Sequence, residues 1–300
     1  MDLKQLSSFI YVADGNSLSY AATKNAITKS AVSHQISQLE NEMGADLFVR
    51  TKNDVQLTEC GQLLLQCAKN IIKEAEDAKD KIQGLRGTIS GTLRVGVGMF
   101  VEPYIRKAAH KMLREFPDLK MIVKIEQAKT LNAMLRKHEL DIAFTINNSY
   151  EDENIETSPI IPIRICAIVR KTHELANCSV VEFDDLKRHQ IIMPDEDKRS
   201  IRTVEKYFGK SIEGLKTRVV INNSDASFCT VEEEGFITFA TPAHIINRQN
   251  LVALPIRGLE ADIMCNAHWM SDVYLKNSAK ILLDYIKEFS SPYFQSLINI

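Results

Sequence analysis

The residues whose types and spacing could do chemistry sit close together in one short stretch: Lys29, Ser30, Ser33, His34 and Ser37. Lysine, serine and imidazole can donate or accept hydrogen bonds at short reach, and short side chains on a helix let backbone and base edges approach closely. Val32, Ile36, Leu39 and Met43 interleave with them at four-three-four spacing, so one stripe of this helix is expected to face inward while the opposite face stays polar. Thr28 can cap this helix, and Ser17 can cap a preceding one that holds Leu18, Ala21 and Ala22. The two alanines permit the close crossing of a helix-turn-helix, whose second helix enters the DNA major groove. The same packing also serves domains that bind only protein, and two helices alone leave both readings open.

The elements that position this face can be read on either side of it. Leu3, Leu6, Ile10 and Ala13, with Phe9 beside them, predict a supporting helix that ends at Gly15-Asn16. Gly44 ends the polar-faced helix. Leu47, Phe48, Val55 and Leu57 then flank a polar turn over 50–54, which predicts a small wing. Arg50 and Lys52 are its phosphate-binding candidates, against the alternative of a solvated charged hairpin. Over 1–58, Lys4, Lys24, Lys29, Arg50 and Lys52 face Asp2, Asp14, Glu40, Glu42, Asp46 and Asp54, so the surface is not uniformly basic. Attraction to phosphate then rests on local clustering within about 8 Å, and affinity leans on dimerisation.

No proline interrupts the chain from Thr58 to Pro103, and Leu64, Ala68, Ile71, Ala75, Ala78, Ile82 and Leu85 recur at alternating four- and three-residue steps. This heptad seam predicts a helix of roughly 40 Å, too long for the N-terminal domain to cover by itself. A partner helix is one way to cover it; packing on the rest of its own chain is the other. Gly84, Gly87 and Gly91 mark the boundary that follows.

Taken together, Ala21-Ala22, the run from Ser30 to Ile36, Leu39-Glu40, Gly44, Leu47-Phe48, Arg50 and Leu57-Thr58 with Gly61 closely resemble the N-terminal domain of LysR-type transcriptional regulators in order and spacing. The sequence departs from that pattern at Asn25, where the family usually has leucine, at Lys29 for glutamine, at His34 for arginine and at Cys60 for alanine. The first affects local core packing, and the next two point to an altered base preference. The resemblance implies an all-α winged helix-turn-helix over 1–58 and a linker helix over 59–89 that pairs antiparallel with a second copy, giving a homodimer or a homotetramer. Its expected partners are double-stranded DNA, a small-molecule effector and RNA polymerase.

Beyond the boundary, apolar strand patterns near 93–97, 121–125, 142–146, 163–169, 190–193, 218–221, 236–240 and 251–254 alternate with helical ones, including 202–208. This predicts α/β architecture with mostly parallel sheets. The runs HELDIAFTI, HELA and EEEGFITFATP resemble the effector-binding half of the same family, which is similar to periplasmic solute-binding proteins. The resemblance implies an α/β effector domain over 90–300, with subdomain I over 90–163 and 268–300 and subdomain II over 164–267. Loops at the carboxyl ends of parallel strands gather polar backbone groups, and they put Gly98, Met99, Phe100, Thr130, Ser200 and Ser224 forward as effector-binding residues. The family commonly has serine or threonine where this chain has Met99, Phe100 and Ala128, so the cleft is expected to be more apolar than the family norm. The alternative is that Met99 and Phe100 pack as ordinary core.

The other chemistries are not supported by spacing. Gly96-Val97-Gly98 follows a strand, but Val101 stands where a dinucleotide fingerprint needs its third glycine. There is no phosphate loop, no GxSxG elbow and no paired-histidine zinc motif, so neither enzyme activity, a cofactor nor a metal is expected. The 300 residues are 45% hydrophobic and 25% charged with a net charge of -2, enough for two or three domains with substantial cores. With no apolar run of about 18 residues and no signal-like start, a cytoplasmic protein without a membrane span is expected. Six scattered cysteines suit buried thiols better than a metal or redox motif. A free solute-binding protein would need a secretion signal, and a coiled-coil adaptor would not need the polar face 29–37.

Overall fold

A computed structural model describes residues 1–50, 55–85, 89–146, 152–193, 214–257 and 263–289. Lys52, Ser200 and the helix expected at 202–208 lie outside the described residues, as do the side chains of Arg50 and Leu85. One compact unit holds Met1–Ile89 with Arg136–Glu139, and the other holds Ser90–Leu135 and Leu140–Ile300.

In the first unit α1 (Leu3–Gly15) starts at a capping box, where the Asp2 and Gln5 side chains accept from each other's backbone N–H. Ser17 caps α2 (Leu18–Asn25), and Thr28 caps α3 (Lys29–Met43) by accepting from Ala31 N at 3.2 Å. Gly44 closes α3 at φ 66°, a left-handed conformation that glycine adopts at no steric cost. Leu6, Phe9, Val12, Ala21, Ala22, Val32, Ile36 and Leu39 form the core between these helices. The inward face of α1 is thus centred on Leu6, Phe9 and Val12; Leu3, expected on it, is 44% exposed. Met43 leaves the α3 stripe as well, at 39% exposed, because it occupies the last turn, where the chain departs from the core at Gly44.

The wing is a hairpin of β1 (Phe48–Arg50) and β2 (Val55–Leu57), paired antiparallel with Phe48 opposite Leu57. Thr58 joins it to α4 (Glu59–Leu85), donating to Asp46 O at 2.7 Å and accepting from Gly61 N at 3.0 Å. A Cβ at Gly61 would lie 2.1 Å from the Leu47 carbonyl oxygen, so this glycine lets α4 close onto the wing.

The seam of α4 differs in its first turns from the sequence expectation. Ala68 is buried and Leu64 half-buried in the helix-turn-helix core, because the start of α4 packs on α1. The outward apolar row there is Leu63, 74% exposed, with Cys60 and Cys67, one residue out of the expected register. Farther along, Ile71 and Ile82 are 37% and 57% exposed, Ala78 is exposed and Ala75 half-buried.

The second unit opens with β3 (Gly91–Val97), a 3-10 turn (Met99–Val101), α5 (Glu102–Glu115), β4 (Leu119–Ile125), α6 (Ala128–Arg136), β5 (Ile142–Ile146) and β6 (Ile155–Ile163). It continues through β7 (Cys166–Arg170), α7 (Phe183–Leu186), β8 (Gln190–Met193), β9 (Lys216–Val220), α8 (Ser224–Glu234), β10 (Thr238–Ala240), β11 (Leu251–Leu254), β12 (Ile263–Met270) and α9 (Asn277–Phe289). One sheet runs in the order β4-β3-β5-β12-β6; β10-β7-β11 forms another, beside the parallel pair β8-β9.

These sheets correct three expectations. They are mixed, not mostly parallel: β12 is antiparallel to both its neighbours, as is β7. The single strand expected at 163–169 is two strands that belong to different sheets, and Pro159 and Pro162 are tolerated in β6 because it is an edge strand. The chain returns to the first sheet at Ile263, five residues before the expected boundary at 268.

The glycine at 96, inside β3, is explained by packing. A Cβ at Gly96 would come within 2.7 Å of Leu140 and Leu131, so Gly96 lets α6 and the following loop lie against the strand. In HELDIAFTI the Asp141 carboxylate accepts from Arg94 N at 2.8 Å and meets Lys276 Nζ at 3.4 Å, while Lys276 donates to Thr92 O, which ties β3 to the start of α9.

Candidate functional site

The polar face of α3 is built by elements that bury its other side. Lys29, Ser30 and His34 are exposed, and Ser33 and Ser37 half-buried, opposite the fully buried Val32, Ile36 and Leu39. Ser30 shares a hydrogen bond of 2.9 Å with the Thr28 hydroxyl, so the first turn of the helix is held by the same residues that face outward. Lys24 lies 5.5 Å over the ring of Tyr20, a cation–π contact on α2, the helix that precedes α3.

Two positioning groups were not legible as such. The Glu40 carboxylate accepts from Leu47 N at 3.0 Å and from Phe48 N at 3.3 Å, so α3 carries the wing through a charge-assisted bond. Asn25, which replaces the leucine of the family pattern, donates to Ser8 Oγ at 2.8 Å, and Ser8 in turn donates to Gln35. One buried hydroxyl therefore joins α1, α2 and α3, and the local core is partly polar. The Asn25 departure was the signal; its partner Ser8 had none.

In the second unit, Met99, Phe100 and Ser224 are brought together around one small cavity. Ser227, Phe228, Thr238, Phe239, Ala240 and His244 complete its lining. Gly98 makes the turn into it, donating to Phe144 O at 2.8 Å. Thr130 is exposed on α6 and is not among the lining residues. The enclosed space is about 10 Å³, enough for one water. The lining residues beyond Ser224 were missed because they belong to α8, β10 and the turn after it, well away from Met99 and Phe100 in sequence.

His244 crosses this cleft. Its Nε2 lies 3.1 Å from the Met99 carbonyl oxygen and its Nδ1 2.8 Å from Thr241 Oγ1. A carbonyl only accepts, so Nε2 carries the proton and Nδ1 accepts from the Thr241 hydroxyl. Burial lowers the His244 pKa to about 4, against the opposing effect of its hydrogen bonds, so the ring is neutral at physiological pH. Thr241 also hydrogen-bonds Tyr104 on α5, whose phenol burial pushes up to about 12. Nearby thiols are unreactive: burial raises Cys166 to about 11 and Cys265 to about 12. Among the described residues no cluster of three or more His, Cys, Asp or Glu is placed to hold a metal, and no helix is long and apolar enough to cross a membrane.

A winged helix-turn-helix with an outward polar recognition face, joined to a two-sheet α/β domain with a cleft, defines a DNA-binding transcriptional regulator with an effector-binding domain. Comparison with known proteins specifies the family. Residues 3–62 match the bacterial regulatory helix-turn-helix domain of the lysR family, and residues 86–291 match the LysR substrate binding domain. The chain belongs to the LysR family of transcriptional regulators, which are not enzymes. It is 25% identical to the HTH-type transcriptional regulator ShiR of Corynebacterium glutamicum over 303 residues, covering 98% of this chain and all of the relative. It is also 25% identical to BsdA of Bacillus subtilis over 292 residues, 95% of this chain and 99% of the relative. The solved structure of CbnR, a LysR family transcriptional regulator, shares the fold with a TM-score of 0.68 at 15% identity, over 97% of this chain and all of that one. A full-length OxyR variant from Pseudomonas aeruginosa does so with a TM-score of 0.67 at 16% identity, over 96% of this chain and 98% of that one.

Proposed function

We propose that this LysR-type regulator reads operator DNA through Lys29, Ser30, Ser33, His34 and Ser37, with Arg50 and Lys52 of the wing on phosphate. The observation that carries this reading is the α3 helix itself, buried on Val32, Ile36 and Leu39 and polar outward. Operator sequences selected with the full-length protein test it by gel shift. A Lys29/Ser33/His34 triple alanine is expected to lose base discrimination, each good contact being worth about 1–3 kcal/mol. Lys52→Ala is expected to weaken all sequences alike. Equal affinity of the triple variant and wild type for the selected operator would refute the assignment.

The outward apolar row of α4, from Leu63 through Ile71 to Ile82, supports assembly of the regulator as a homodimer or homotetramer. In this reading the regulator acts in the cytoplasm, with RNA polymerase as a further partner. Charge in that row would be buried without a partner at a cost of several kcal/mol, so Ala75→Asp with Ile82→Asp is expected to dissociate the assembly. Light scattering that finds the folded double variant at unchanged mass would remove α4 from the interface. The cleft lined by Met99, Phe100, Ser224 and His244 is the effector site in this reading.

A further inference from the structure

The cleft is closed on itself, and the bonds that close it form a single directed chain. Donor and acceptor roles are set from one end: the Met99 carbonyl accepts from His244 Nε2–H, so His244 Nδ1 must accept from the Thr241 hydroxyl. Thr241, His244 and the Met99 carbonyl thus form a short directed chain, and such a chain polarises cooperatively in a buried setting. Met99 belongs to the turn that follows β3, on the first sheet. Thr241 and His244 follow β10, on the second. The chain therefore bridges the two sheets, and the His244 ring also meets Phe228 of the cavity wall edge-on at 5.9 Å between centroids.

The cavity has room for about one water, so a larger occupant must move part of its wall, in which Met99 and Phe100 stand. The backbone of Met99 is the part of that turn His244 holds. We propose that Thr241 and His244 form a clasp on the Met99 carbonyl that holds the effector cleft, with His244 the positioning residue through which occupancy of the cleft is converted into a change in the angle between the two sheets. Displacing the Met99–Phe100 turn breaks the His244–Met99 bond, which frees the segment after β10 from the turn after β3. Domain closure around ligands commonly turns on a few such residues at element ends. The inference rests on the cleft being the effector site.

Hydrogen exchange and operator footprinting of the full-length protein test it without any added ligand. His244→Ala removes the bond to Met99, Thr241→Val removes the donor to His244, and His244→Gln restores a donor. In His244→Ala and Thr241→Val, peptides covering 99–104 and 241–245 are expected to exchange about fivefold faster, as loss of a hydrogen bond of roughly 1 kcal/mol implies, with β3, β5 and β12 unchanged. His244→Gln is expected to recover protection, and His244→Ala to alter the extent of the footprint. Unchanged exchange at 99–104, acceleration spread evenly through the domain, or a footprint identical to wild type would overturn the clasp. Failure of the wild-type protein to give any footprint would instead refute the proposed DNA-binding function, while exchange would still report on the clasp.

Discussion

In the N-terminal unit the candidate base-reading side chains stand along one continuous helix, whereas in the C-terminal unit Met99, Phe100, Ser224 and His244 arrive from separate segments around little free space. The first arrangement is pre-organised: α3 is capped, its inner stripe is buried, and its polar face is ready for a rigid partner. The second offers a cavity of about one water, so in the proposed reading its walls move to admit an effector. A surface that reads DNA gains from being built in advance, because ordering it on contact would cost affinity. A cleft that reports on a small molecule has to have two states that the molecule can tell apart. The difference between the units is thus a difference in where mobility is useful.

The largest effect expected to sharpen this contrast is on acid stability of the C-terminal unit. His268 is buried and His244 half-buried, and desolvation lowers each to about 4 from the ordinary 6.5; His268 lies between the Thr145 and Thr157 hydroxyls at 2.9 Å each. The unfolded chain takes up these protons first, so their contribution is complete above about pH 6.5 and is lost progressively as the pH falls toward 4. Between pH 7 and pH 5 each should cost about 2 kcal/mol. Denaturant unfolding followed by Trp269, the single tryptophan, reports on this unit. A midpoint equal at the two pH values would contradict the desolvation of both imidazoles.

The corresponding break in the N-terminal unit is steric. Gly61→Ala forces a methyl group against the Leu47 carbonyl, and overpacking against backbone should cost about 3 kcal/mol. Operator binding is expected to fall while the Trp269 transition stays in place. Retained binding at wild-type affinity would mean that α4 can move off the wing without consequence.

A smaller effect separates wall from core in the cleft. Phe100 is half-buried and lines the cavity, so Phe100→Ala should lower stability by about 1 kcal/mol, well short of the 3–5 kcal/mol of a fully buried phenylalanine. A loss in the larger range would make Phe100 part of the core and leave Met99 as the residue that gates the site.

How much of this was legible in the sequence follows from the same contrast. The caps Ser17 and Thr28, the stop at Gly44, the wing and the polar face of α3 are local features, each set by residues a few positions apart, and the structure has them where the sequence puts them. Seam register on α4 was not legible because Leu64 and Ala68 answer to α1, not to a partner helix. The cleft was half legible: strand ends point to Met99, Phe100 and Ser224, but nothing local ties Thr238 or His244 to them. Strand orientation was beyond reach too, since alternation of strands and helices does not say that β12 returns antiparallel between β5 and β6.

The smallest effect concerns the one place where the pre-organised unit departs from its family pattern in its core. Asn25→Leu restores the family residue and removes a hydrogen-bond donor together with its need for a partner. Ser8 can still donate to Gln35, and the leucine side chain buries apolar surface in place of an amide, so stability should change by less than about 1 kcal/mol. Ser8→Ala acts differently on the same site: it leaves both the Asn25 amide and the Gln35 carbonyl facing a methyl group, and should cost about 1–3 kcal/mol. In the double variant the Asn25 donor is gone and only Gln35 loses its partner, so the cost should fall below that of Ser8→Ala alone. Thermal unfolding of the two single variants and the double variant decides the point. Strictly additive losses would show that Asn25 and Ser8 do not act as a pair, and that the polar join between α1 and α2 contributes nothing to holding α3 in place.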